Sequence, residues 1–65
     1  MKPYYAHNRA NDYPLSLGMH QDYDSAMDAL RALVDKNIFA WSYDQEELDS
    51  LINQKEIYLS HNRTH

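Results

Sequence analysis

The chain has no cysteine among its 65 residues, one glycine and two prolines. Without thiols, disulfides and thiolate zinc sites are excluded, so only histidine and carboxylate donors remain for a metal. A lone glycine leaves no glycine-rich loop to cradle phosphates, and neither a serine elbow nor a cysteine nucleophile is present. The longest apolar run, Ile38-Phe39-Ala40-Trp41, falls far short of the roughly 20 residues that span a bilayer. Met1 to Tyr5 lead into His7, Asn8 and Arg9, not into the apolar stretch of a signal peptide. A soluble, cytoplasmic protein without membrane contact is expected.

Cations are also scarce. Six Lys and Arg stand against ten Asp and Glu, for a net charge of -4. The imbalance is concentrated in residues 21–50, where eight carboxylates face only Arg31 and Lys36, a net of -6. Residues 1–20 and 51–65 each carry a net of +1. Binding to a phosphate backbone requires a basic stripe, so direct contact of the domain body with nucleic acid is disfavoured.

A chain this short makes one domain, residues 1–65, and buries only roughly 60% of the surface its unfolded state exposes. Association with a partner is one of the few reinforcements left to it. Residues 1–13 lack a clear period and read as an N-terminal arm, or as an edge strand around Lys2 to Ala6. Leu15-Ser16-Leu17-Gly18-Met19 alternates like a half-buried strand, with Gly18 as a weak point or bulge. Asp22 and Asp24 supply helix-start chemistry. Tyr23, Ala26, Met27, Leu30, Leu33 and Val34 then form one apolar stripe, ending near Asn37.

Ile38 to Tyr43 is β-branched and aromatic and reads as a strand. Asp44 with Glu47 three residues on forms a capping box, so a short helix carrying Leu48, Leu51 and Ile52 should follow and fray near Gln54. Glu56 to Ser60 alternates again as a last strand, and 61–65 reads as a loose tail. The expected fold is therefore a small two-layer α+β domain of order β-α-β-α-β. Two helices pack on one face of a three- or four-stranded sheet. The alternative is an all-helical chain in which 38–43 is a turn.

The chemistry of sites is thin. His61 and His65 have a helical ligand spacing but no helix to hold them, and no metal or other cofactor is expected. His20 with Asp22 could orient a proton transfer, but one glycine and 65 residues leave little room for a desolvated pocket. No enzyme is expected. A helix-turn-helix reading, with Asn53, Gln54 and Lys55 toward bases, would set Asp44, Glu46, Glu47 and Asp49 against phosphates.

Two features point to protein binding. Ile38, Phe39, Trp41 and Tyr43 make a strand apolar on both faces, and helices can cover only one face of the sheet. Phe39 and Trp41 are expected inside, because a small core needs their area. That leaves an Ile38/Ala40 patch bordered by Tyr58; the opposite phasing would put Phe39, Trp41 and Tyr43 outside as an aromatic platform. The N-terminal arm with Tyr4, Tyr5 and Tyr13, a second copy or a partner could cover the face left open. Tyrosine suits recognition through its large area and polar tip. Separately, Asp24, Asp28, Asp35, Asp44, Glu46, Glu47 and Asp49 form an acidic helix surface that could imitate a nucleic-acid backbone toward a basic partner.

The expected function is that of a small non-catalytic regulator or inhibitor acting on a protein partner or on a second copy of itself. A nucleic-acid-binding module, using the helix-turn-helix-like segment or an aromatic sheet face, is the alternative. Finally, the triplet His-Asn-Arg occurs at 7–9 and at 61–63. Repetition alone is weak evidence of an internal repeat. Both copies are expected outside the packed elements, as basic flanks.

Overall fold

The computed structural model describes residues 1–10, 14–36 and 43–63, the side chains of Asp35 and Lys36 excepted. Five elements follow in chain order: β1 (Lys2–Asn8), β2 (Leu15–His20), α1 (Tyr23–Lys36), α2 (Gln45–Asn53) and β3 (Ile57–Ser60). The class is α+β: two helices and one antiparallel sheet of strand order β2-β1-β3. The sheet excludes the all-helical alternative. The order of the described elements is β-β-α-α-β. The strand expected over Ile38 to Tyr43 lies outside the described residues except for Tyr43, which is in neither helix nor strand.

One expectation needs correction. Residues 2–8 are not an arm or an edge strand but the middle of the sheet, paired with β2 on one side and β3 on the other. β2 folds back on β1, and β3 returns to its far side after both helices. β2 and β3 thus run in the same direction without needing to neighbour each other. That removes the difficulty of a parallel crossover through the short segment Asp44 to Lys55, because parallel neighbours need a connection of roughly a dozen residues or more.

Helix starts are set locally. Asp22 Oδ1 accepts from the Ser25 amide at 2.9 Å, satisfying an orphan donor at the head of α1. At α2, Asp44 Oδ1 accepts from the Glu47 amide at 2.8 Å, and the Glu47 carboxylate accepts from the Asp44 amide at 3.5 Å. That is the capping box the sequence spells out. α2 closes with the Lys55 amide donating to the Ile52 carbonyl and the Glu56 amide donating to the Leu51 carbonyl. This pair of bonds is a Schellman motif, which places Lys55 in the left-handed region at φ 62°.

The core lies between the sheet and the helices. It comprises Tyr4 and Ala6 from β1, Leu17 from β2, Ile57 from β3, Ala26, Leu30 and Val34 from α1, and Leu48 from α2. Paired residues share a sheet face, so register assigns the faces. Leu15, Ala6, Leu59, Ile57 and Asn8 lie toward the helices with Tyr4, while Met19, Pro3, Tyr5, Ser16, Ser60, His7 and Tyr58 lie on the far face.

The alternation of Leu15, Leu17 and Met19 is broken by one residue. Tyr4 pairs with Gly18 and Tyr5 with Ser16, so Leu17 is the extra residue of a bulge. Gly18 supplies its positive φ of 82°. The phase slip keeps Leu15 and Leu17 inward and turns Met19 outward, where it is 53% exposed. Among the described residues no helix is long and apolar enough to cross a membrane.

Candidate functional site

Polar chemistry gathers around the central strand. His7 and Asn8 are each 1% exposed, among the least accessible residues described. The His7 ring stacks on Tyr58, centroids 5.0 Å apart and planes 14° apart. Its Nε2 lies 2.8 Å from both Ser60 Oγ and the Asn62 carbonyl. A carbonyl only accepts, so Nε2 carries the hydrogen and shares it between the two. Ser60 Oγ also donates to the Asn62 carbonyl, at 2.9 Å. Asn8 closes the strand: its Oδ1 accepts from the Ala10 amide at 2.9 Å, and its Nδ2 donates to the Tyr43 hydroxyl at 3.1 Å.

The two His-Asn-Arg triplets therefore meet, through His7 and the carbonyl of Asn62. The first is not a flank outside the packed elements. Its His7 and Asn8 are buried at the end of β1, and the exposed Arg9 follows that strand. Nor is the second wholly loose: His61 Nδ1 donates to the Pro3 carbonyl at 2.8 Å, and its ring sits 4.5 Å from that of Tyr4. Thr64 and His65 lie outside the described residues, and with them the His61–His65 spacing. Among the described residues no group of three His, Asp or Glu side chains is placed to hold a metal ion.

His20 does not pair with Asp22. Its Nε2 donates to the Leu17 carbonyl at 2.6 Å, and its Nδ1 lies 3.0 Å from Ser25 Oγ. Asp22 is occupied as the α1 cap.

The aromatic residues expected to bind a partner divide between the faces. Tyr4 is in the core at 9% exposure, and Tyr43 is half-buried against that core. Tyr5 and Tyr58 are half-buried on the far face, diagonal to one another. Near them lie the exposed Pro3 and Met19, which face each other across β1 and β2. Tyr13, Ile38, Phe39, Ala40 and Trp41 lie outside the described residues, and with them the phasing of the 38–43 segment.

The acidic residues are likewise divided. Asp24, Asp28 and Glu46 are exposed and make no ion pair among the described residues. Asp44 and Glu47 are engaged in the capping box, and Asp49 pairs with Arg31 at 2.7 Å. The Asp35 side chain is outside the described set. Caps and ion pairing thus account for three of the seven carboxylates.

Sequence reasoning passed over a second polar cluster, at the turn from α2 into β3. The Arg9 amide donates to the Glu56 carbonyl and Arg9 Nε to the Lys55 carbonyl, each at 2.9 Å. The Arg9 guanidinium carbon lies 5.1 Å from the Tyr58 ring centroid. Arg9, Lys55, Tyr23, Tyr58, Ile52 and Ile57 line a groove of about 280 Å³ here. The only signal available beforehand was basic charge at both ends of the chain; nothing local says that residues 9 and 55 meet.

Comparisons with protein-family models, curated proteins and solved structures find no match for this chain.

Proposed function

We propose that this protein is a non-catalytic binding module, a cytoplasmic regulator or inhibitor whose protein partner docks on the sheet face away from the helices. The observation that carries the reading is the composition of that face: Pro3, Tyr5, Met19 and Tyr58 lie together on it, with Met19 53% exposed. An exposed methionine beside half-buried tyrosines offers adaptable apolar area with hydrogen-bonding tips, the surface chemistry of recognition sites. The acidic helix surface is the weaker candidate, because capping and ion pairing occupy part of it. Nucleic acid fits poorly: the exposed start of α2 would bring Asp44, Glu46 and Glu47 against phosphates.

The test is affinity capture from native cytosol with three baits: the unaltered chain, Tyr5→Ser/Met19→Asp, and Asp24→Lys/Asp28→Lys. Sedimentation equilibrium of the same proteins reports self-association. The far-face variant should lose the partner or the dimer and the charge-reversed variant should keep it. The opposite pattern would move the interface to the helices.

A further inference from the structure

We propose that the groove where α2 turns into β3 binds a small molecule carrying one oxyanion, a carboxylate or a phosphate monoester, on an aromatic or apolar body. The site shares Tyr58 with the docking face but does not depend on that reading.

Three observations converge. The first is charge. In a chain of net charge -4, Arg9 and Lys55 line one groove and neither forms an ion pair among the described residues. Arg31, by contrast, is neutralised by Asp49. Glu56, just before β3, accepts the Arg9 amide through its backbone but forms no ion pair with the Arg9 side chain, leaving a local excess of one positive charge. That balance suits a ligand with a single oxyanionic group.

The second is preorganisation. The Nε bond to the Lys55 carbonyl and the Tyr58 ring hold the guanidinium in place. Its two Nη groups donate to no described residue, so the planar fork that matches a carboxylate or phosphate is available.

The third is backbone strain. The position that closes a Schellman motif favours glycine, yet a lysine occupies it at φ 62°. Strain of this kind persists where a side chain is needed, and it gathers at ligand sites.

The remaining walls define the body of the ligand. Ile52 and Ile57 are apolar, and Tyr23, 49% exposed, presents an aromatic surface. At about 280 Å³ the groove admits a single-ring anion. It lies just below the range of roughly 300–1,000 Å³ typical of drug-sized ligands.

The test is an amide chemical-shift titration of the full chain with four probes: phenyl phosphate, benzoate, inorganic phosphate and benzyl alcohol. The two aromatic anions should give saturable shifts at Arg9, Lys55, Glu56 and Ile57, with dissociation constants on the order of 1 mM. Inorganic phosphate and the neutral alcohol, each lacking one half of the recognition, should bind about tenfold more weakly. Arg9→Gln and Lys55→Gly should each weaken phenyl phosphate about fivefold, the loss expected for one charge-assisted contact on an exposed surface. Lys55→Gly should at the same time raise the thermal midpoint by removing the strain, so weaker binding cannot be ascribed to unfolding. The proposal is overturned if neither aromatic anion gives a saturable shift, if benzyl alcohol binds as tightly as benzoate, or if Lys55→Gly binds with unchanged affinity.

Discussion

His7-Asn8-Arg9 and His61-Asn62-Arg63 have the same three residues in the same order, and the fold uses them differently. In the first copy the histidine and asparagine are 1% exposed, and all three side chains are hydrogen-bonded to residues at least two positions away. In the second copy all three residues are exposed. His61 is anchored to the Pro3 carbonyl, Asn62 acts through its backbone, and the Arg63 side chain has no partner among the described residues. The difference comes from position in the sheet. A central strand has neighbours on both edges, and its polar side chains must find partners or carry the cost of desolvation. Residues beyond the end of an edge strand remain in water.

Paired substitutions test whether this asymmetry is energetic as well as geometric, with urea unfolding followed by far-UV circular dichroism as the readout. His7→Ala should have the largest effect, roughly 3 kcal/mol, because it opens a void and removes a buried hydrogen bond. A 65-residue domain has only about 3–10 kcal/mol in total, so a substantial unfolded fraction is expected. Its counterpart His61→Ala should cost about 0.5–1 kcal/mol. Equal losses at the two histidines would show that burial does not distinguish them.

Next in size, Asn8→Ala should cost about 2 kcal/mol, since it removes two part-buried hydrogen bonds, with the Ala10 amide and with the Tyr43 hydroxyl. Asn62→Ala should stay within about 0.5 kcal/mol.

Smaller effects are expected where the chain turns. Lys55→Gly should stabilise by about 1 kcal/mol, a rise in thermal midpoint of about 4–8 °C for a domain of this size. Gly18→Ala should destabilise by about 1 kcal/mol through its positive φ alone, because an added Cβ meets nothing within 4 Å. These opposite signs at two positive-φ positions check whether the lysine is held against its backbone preference. Arg9→Ala should cost about 1 kcal/mol. Arg63→Ala should be the smallest change of all, within about 0.5 kcal/mol.

Much of the architecture was legible along the chain. The Asp44–Glu47 capping box, the Asp22 cap and the stripe of Ala26, Leu30 and Val34 span only a few residues each, and the bulge at Gly18 and the last strand at 57–60 were announced by residue type and alternation within their own segments. The expected tyrosine-rich face was only partly legible. Tyr4 and Tyr5 differ by one position in a strand whose phase no neighbouring residue announces, and they point to opposite faces. The outward turn of Met19 needed the register slip opposite Tyr4 and Tyr5. The Arg9–Lys55 cluster was not legible at all, since its members are 46 residues apart.

The sequence by itself determined where helices begin, which of their faces are apolar, and the absence of disulfide, thiolate and glycine-loop chemistry. Capping bonds and a 3.6-residue period are settled within one or two turns of chain. Only the tertiary structure decided that the N-terminal segment is the centre of the sheet, and that the histidine and asparagine of one of two identical triplets are buried. It also decided that two cations meet over a strained turn. Each of these depends on which strand lies next to which. That choice is made by shared burial between residues some fifty positions apart, and no local pattern encodes it.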